Sequence, residues 1–167
     1  MTVGTADLHK AINTVWNDND LDDFFTEDWA VGQSTSYPVL NDQKASPGNP
    51  FPYCVLDQTT SRIVTRMSDD SGSKRYTIST DVTFKVHAKV ITGDARSAKQ
   101  IASDLAAEIM KIYGGHPTVQ PQSLELDNGT VPNVQFDRDY GIRTGDDEYQ
   151  WNIHYRFLTD VPVRIIN

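Results

Sequence analysis

Hydrophobic positions recur at every second residue along one long stretch of this chain. Tyr76, Ile78, Thr80, Val82, Phe84, Val86, Ala88 and Val90 alternate with Thr77, Ser79, Asp81, Thr83, Lys85, His87 and Lys89. That is the period of a strand with one face in a core. At about 3.3 Å per residue such a strand reaches roughly 50 Å, more than one small sheet needs. The pattern therefore predicts either a bend at a bulge or a start that projects as half of a long hairpin with residues 61–67.

A second periodicity marks two helices. Leu8, Ile12, Val15 and Trp16 fall at helical spacing and predict an amphipathic helix over about 6–17, with Thr5 as its N-cap. Ala98, Ile101, Ala102, Leu105, Ile109 and Ile112 make the apolar stripe of a longer helix over about 94–113. Its polar side carries Lys99, Gln100, Ser103, Asp104 and Glu108. Asp94 is its expected N-cap, Lys111 suits the dipole of its last turn, and Gly114-Gly115 stops it.

The remaining apolar runs predict strands. Residues 52–56 and 61–67 form two, with Asp57-Gln58-Thr59-Thr60 as the turn between them. The octet 68–75 has no apolar residue and is expected to be a loop tip. Residues 123–126 alternate, and Asp127-Asn128-Gly129 turns the chain. A strand over 134–143 carries Val134, Phe136, Tyr140 and Ile142. The return strand, 149–158, puts Tyr149, Trp151, Ile153, Tyr155 and Phe157 on one face. Residues 161–166 are expected as an edge strand or a segment that pairs with a neighbour. Between the first helix and the first strand lie an acidic, aromatic turn with a short helical or extended piece (18–25) and a polar stretch to residue 50. That stretch reads as a long loop with a weak extended piece around 37–40. Together these predict one α+β domain spanning 1–167. Its sheet is mixed and mainly antiparallel, with a long projecting β-hairpin, and is packed by the main helix and the N-terminal helix.

Composition narrows the function. The chain has 167 residues and a formal net charge of -8. A tight nucleic-acid binder needs a basic face to neutralise phosphates, so the balance argues against one. It permits a surface past which DNA slides. One cysteine, Cys54, precludes an intramolecular disulfide and a cysteine-based zinc site, and its apolar run makes it a buried strand thiol. No apolar run approaches a bilayer span, and the first residues lack the pattern of a secretory signal.

The sequence carries none of the common catalytic templates. There is no Gly-rich phosphate loop, no His-Glu-x-x-His zinc helix and no Gly-x-Ser-x-Gly elbow. Asp18, Asp20 and Asp22 open with calcium-loop spacing, but Asp23 stands where the loop needs Gly and Trp29 where it needs Glu. A solvated acidic turn is the expectation. Of four histidines, His87 and His154 fall on polar faces of predicted strands and are the candidates for a metal or proton-transfer site. Asp137-Arg138-Asp139 reads as a salt-bridged sheet surface. No cofactor, metal or catalytic residue is expected. The subunit-interface or DNA-channel candidates are the charged residues around the hairpin: Arg62, Arg66, Asp69, Asp70, Lys74 and Arg75.

The order of these elements resembles the tail-terminator (tail-completion) proteins of long-tailed bacteriophages. The residues carrying it are the helix with Leu8, Ile12 and Val15, the strand opening at Pro52-Tyr53 and the polar-tipped hairpin. The strand 76–90 feeding into the helix 94–113 and the closing run 149–157 complete it. The stretch 18–50 is bulkier than that family suggests. The resemblance implies a hexameric ring that caps the tail tube and joins it to the head connector, with DNA passing through the hole. Its partners would be copies of itself, the tail tube protein and the head-tail connector protein. It would reside in the virion after assembly in the host cytoplasm, with no membrane association. Two other readings stay open: a different head-tail connector, neck or minor tail protein, or a small ligand- or metal-binding α+β domain.

Overall fold

The alternating apolar side chains of the long strand turn toward helices. In the computed structural model, which describes residues 3–26, 40–41, 51–68, 74–127 and 129–162, that strand lies near the middle of a six-stranded sheet. The elements run α1 (Val3–Asp18), α2 (Leu21–Thr26), β1 (Leu40–Asn41), β2 (Tyr53–Ser68), β3 (Lys74–Lys89), α3 (Ala98–Tyr113), β4 (Glu125–Leu126), β5 (Gly129–Arg143) and β6 (Glu148–Pro162). The strand order is β1-β2-β3-β6-β5-β4. Only β1 and β2 are parallel; every other neighbouring pair is antiparallel. The fold is α+β with a mixed, mainly antiparallel sheet, as the periodicities predict.

One face of the sheet carries the core. Cys54 and Leu56 of β2, Val82, Phe84 and Val86 of β3, and Ile153, Tyr155 and Phe157 of β6 cluster with α1 and α3. Phe84 sits at the centre, stacked on Trp16 at 6.2 Å, tilted to Tyr113 at 4.9 Å and edge-on to Tyr155 at 5.8 Å. Two buried phenols tie the layers together. Tyr113 donates to the carbonyl of Ile12 and Tyr155 to that of Gly114, each at 2.7 Å. Both hydroxyls are thereby satisfied, which a core demands. Burial pushes both phenols, and the Cys54 thiol, well above their ordinary pKa values. Cys54 is the buried strand thiol its apolar run suggests.

Several boundaries differ from the sequence reading, each for a local reason. The segments 52–56 and 61–67 are one strand, β2, and Asp57-Gln58-Thr59-Thr60 is not a turn. Register shifts between Gln58 and Thr60, and again between Ile63 and Thr65, insert an extra residue each time. The bulges break the alternation that would have revealed a continuous strand. α1 begins at Val3 and runs through Thr5, which is therefore not its cap. Ile112 is only half-buried; Tyr113 takes its place in the buried stripe of α3, and Ala106 joins it. Lys74 and Arg75, expected in the loop tip, open β3, while Asp69 and Asp70 lie outside the described residues. Val161 and Pro162 do not form an edge strand. They end the central strand β6, opposite Tyr76 and Arg75. The hairpin is thus flanked by β6 along its length, and it extends past the core: no residue of β2 beyond Leu56 or of β3 before Val82 belongs to the described core cluster.

α3 starts at Ala98, later than expected. Ser97 is its N-cap and forms a capping box: the Gln100 amide donates to Ser97 Oγ at 3.2 Å and the Ser97 amide to Gln100 Oε1 at 3.0 Å. Asp94 serves the preceding turn instead. It accepts from the Arg96 amide at 2.9 Å and from Arg96 Nε at 3.0 Å. The Arg96 guanidinium and amide hold its carboxyl down to about 2. A depressed carboxylate stabilises the fold above its unfolded pKa, near ~3.9, and that stability drains as pH falls toward 2. Asp94→Asn should therefore lower stability at neutral pH and narrow the gap to the parent protein as acid is added. Urea unfolding between pH 2.5 and 6 measures the gap; a difference that stays constant with pH would rule out the pairing.

Candidate assembly surface

The opposite face of the sheet bears no described helix, and its polar side chains face one another across the strands. Because residues opposite in a ladder share a face, the register places Asp57, Thr83, His154 and Arg138 on this side, together with Asp81, Lys85, Asn152 and Tyr140. Its charges are largely matched. Lys85 donates to Asp57 across β2 and β3 at 2.6 Å, and Arg156 to Asp81 across β3 and β6 at 3.0 Å. Arg138 lies 3.9 Å from Asp137, and Thr77 donates to Asp160 at 2.6 Å.

A bulge in β5 reshapes one side of this face. Phe136 lies opposite Tyr155, but the next pair is Arg138 with His154, leaving Asp137 as the extra residue. A one-residue insertion flips all that follows to the other face. Phe136 therefore packs toward the core, against Tyr155 at 5.9 Å, while Tyr140 lies on the helix-free side, stacked on His154 at 5.4 Å. Asp139 turns inward and accepts from Trp151 Nε1 at 2.9 Å. Only Asp137 and Arg138 of the predicted salt-bridged triplet therefore form a surface pair. Beside the bulge is a depression of about 270 Å³, lined by Asp81, Thr83, Asp137, Arg138, His154 and Arg156.

The chemistry of that depression is limited. Thr83 Oγ1 lies 2.9 Å from His154 Nδ1, the spacing of a nucleophile and a base. A working pair needs a third group to orient the imidazole. Among the described residues His154 Nε2 is buried with no hydrogen-bond partner, Thr83 itself is buried, and Asp81 is engaged by Arg156. The two candidate histidines do not converge. His87 lies opposite Gln150 and stacks on Tyr53 at 4.7 Å, while His154 lies opposite Thr83. Four positions of a strand, about 13 Å, separate them. Among the described residues no three His, Cys, Asp or Glu side chains converge to hold a metal ion. In the acidic turn, Asp22 accepts from Trp16 Nε1 at 2.6 Å.

Burial, and then the Arg138 charge, hold the His154 imidazole below its usual 6.5. The unfolded chain then binds the extra proton first, so stability falls as pH drops through about 6.5. His154→Gln should remove that component from a pH series of thermal unfolding between 5 and 8; an unchanged slope would show that His154 titrates alike in both states.

The hairpin candidates divide between the faces. Arg62 lies opposite Ser79 and Arg75 opposite Pro162, on the helix-free side. Arg66 lies opposite Tyr76, over whose ring its guanidinium sits at 5.6 Å, on the side of Ile78 and the core, as does Lys74. These four cations are all exposed but do not form one patch. The bulge that separates Ile63 from Thr65 is what splits them, and no local sequence signal marks it.

The chain matches no protein-family model and no curated protein. Among solved structures, a chain of the virion of a native gene transfer agent particle overlaps it at 16% identity and a TM-score of 0.43. The overlap covers 73% of this chain and 78% of that one. A score at that level does not by itself establish a common fold.

Proposed function

We propose that this chain is a structural, non-enzymatic virion protein of a long-tailed phage: a tail-terminator subunit whose copies form a hexameric ring at the head-proximal end of the tail tube. The single observation that carries the reading is the two-sidedness of its sheet. One face is sealed by α1 and α3, and the other is a wide polar wall whose charges are matched as Lys85–Asp57 and Arg156–Asp81. Such a wall suits a channel. Duplex DNA carries a phosphate charge about every 1.7 Å of axis, so an unmatched basic wall would hold it by counterion release. Opposed charges leave only shallow minima, and the strand thus slides past without sequence-specific binding. The order of elements, similar to that of tail-terminator proteins, supports the same reading.

In this role the ring ends tube growth by presenting the tail tube protein with a surface that its next copy cannot use, and it seats the head-tail connector protein on its other side. The protein would assemble in the host cytoplasm and remain in the virion. Mass measurement of the purified protein, alone and with tail tubes, is the test, with electron micrographs of labelled tails. A closed six-fold ring at the head-proximal end is expected. A monomer absent from purified virions overturns the reading; a ring found elsewhere in the neck or tail replaces it with the connector or minor tail alternative.

A further inference from the structure

We infer that copies of this chain join head to tail through their sheets, the outer edge of β2 in one subunit pairing antiparallel with the outer edge of β5 in the next. The inference rests on the ring reading above and adds which surfaces meet. The sheet has two long, unlike edges. β1 covers β2 only at Cys54 and Val55, and β4 covers β5 only at Gly129 and Thr130. Among the described residues, 56–68 and 131–143 have no strand on their outer sides. These stretches are equal in length and overlap in height: Leu56 is level with Asp139 and Arg62 with Asn133, through Phe84–Ile153 and Ser79–Leu158. Long open edges offer rows of unpaired backbone groups, which soluble proteins normally blunt or cover.

Strand direction decides how they meet. β2, β3, β6 and β5 alternate up and down, and four is an even number, so the two outer strands run in opposite directions. A neighbour turned about a ring axis keeps its own strands in the same sense. Its β5 then meets β2 antiparallel, and the alternation continues unbroken from subunit to subunit. Contact between two different patches is heterologous, the kind that closes into rings. Each edge exposes apolar groups, Ile63 and Val64 on β2 and, at a different height, Tyr140 and Ile142 on β5. The exposed Arg62 is level with the exposed Asn133, and Asp137 lies four residues further along β5.

Cysteine cross-linking tests the pairing, and Cys54 does not interfere because it is fully buried. Arg62→Cys is combined in one chain with Asn133→Cys, Gln135→Cys or Asp137→Cys, which scans the register. Under mild oxidation at least one double variant should give a ladder of covalent oligomers ending at the ring. Arg62→Cys alone should give none, and neither should Arg62→Cys with Lys99→Cys on α3. Val64→Lys should yield a monomer with unchanged far-UV circular dichroism. A ring of full size with no cross-link in any register overturns this inference and leaves the ring reading standing. Dimers from Arg62→Cys alone also overturn it, since they report a β2-to-β2 contact. A parent protein that stays monomeric and absent from virions overturns both.

Discussion

Phe84→Ala will cost about 3–5 kcal/mol of folding stability, the range for an aromatic removed from a packed core. Phe84 is fully buried, and two helices and the sheet converge on it: Trp16 arrives from α1, Tyr113 from α3 and Tyr155 from β6. Truncation leaves a void whose walls are large rings fixed from elsewhere. Tyr113 and Tyr155 are held by their hydroxyl bonds to Ile12 and Gly114, and Trp16 by its bond to Asp22. Rings anchored at their far ends cannot collapse inward, so the cavity term persists and the cost falls at the upper part of the range. Phe84→Leu keeps most of the volume and should cost less than half as much. Urea unfolding at two protein concentrations reads both, because self-association adds a concentration-dependent term. A loss for Phe84→Ala below about 1 kcal/mol would refute the core as described.

What could be read from the sequence, and what could not, follows from where periodicity survives. β3 and β6 keep strict alternation because they are central strands with one face on the helices and one on the polar wall, and both were legible almost to their ends. β2 and β5 were not. Each carries bulges, and a bulge removes the regular pattern that marks a strand and reassigns the face of every later side chain. That is why residues 57–60 read as a turn and why Tyr140 could not be placed beside His154. It is also why Arg62, Arg66, Lys74 and Arg75 looked like one cluster. The start of α3 was missed because Asp94 and Ser97 are both good capping residues, and only Ser97 is followed three positions later by a Gln that completes the box. The open edge of β2 is legible only from topology, whereas Pro132, which has no N–H to give a ladder, marks β5 as an edge strand.

The stripe of α3 gives the second large effect, and it separates the helix as found from the helix that periodicity alone predicts. Leu105→Ala should cost about 2–5 kcal/mol. Leu105 is fully buried, and Ile101 and Ile109, one turn before and after it, are equally buried, so no solvent can fill the space. Ile112→Ala should cost much less, about 1 kcal/mol, since a half-buried side chain leaves no closed cavity and returns only part of its area to water. Periodicity alone ranks the two positions equally. What divides them is Tyr113, whose ring occupies the last buried slot and whose hydroxyl reaches the carbonyl of Ile12, turning Ile112 to the rim. Equal losses at 105 and 112 would mean that the end of α3 is rotated from its place here, and that the Tyr113 hydroxyl has no partner on α1.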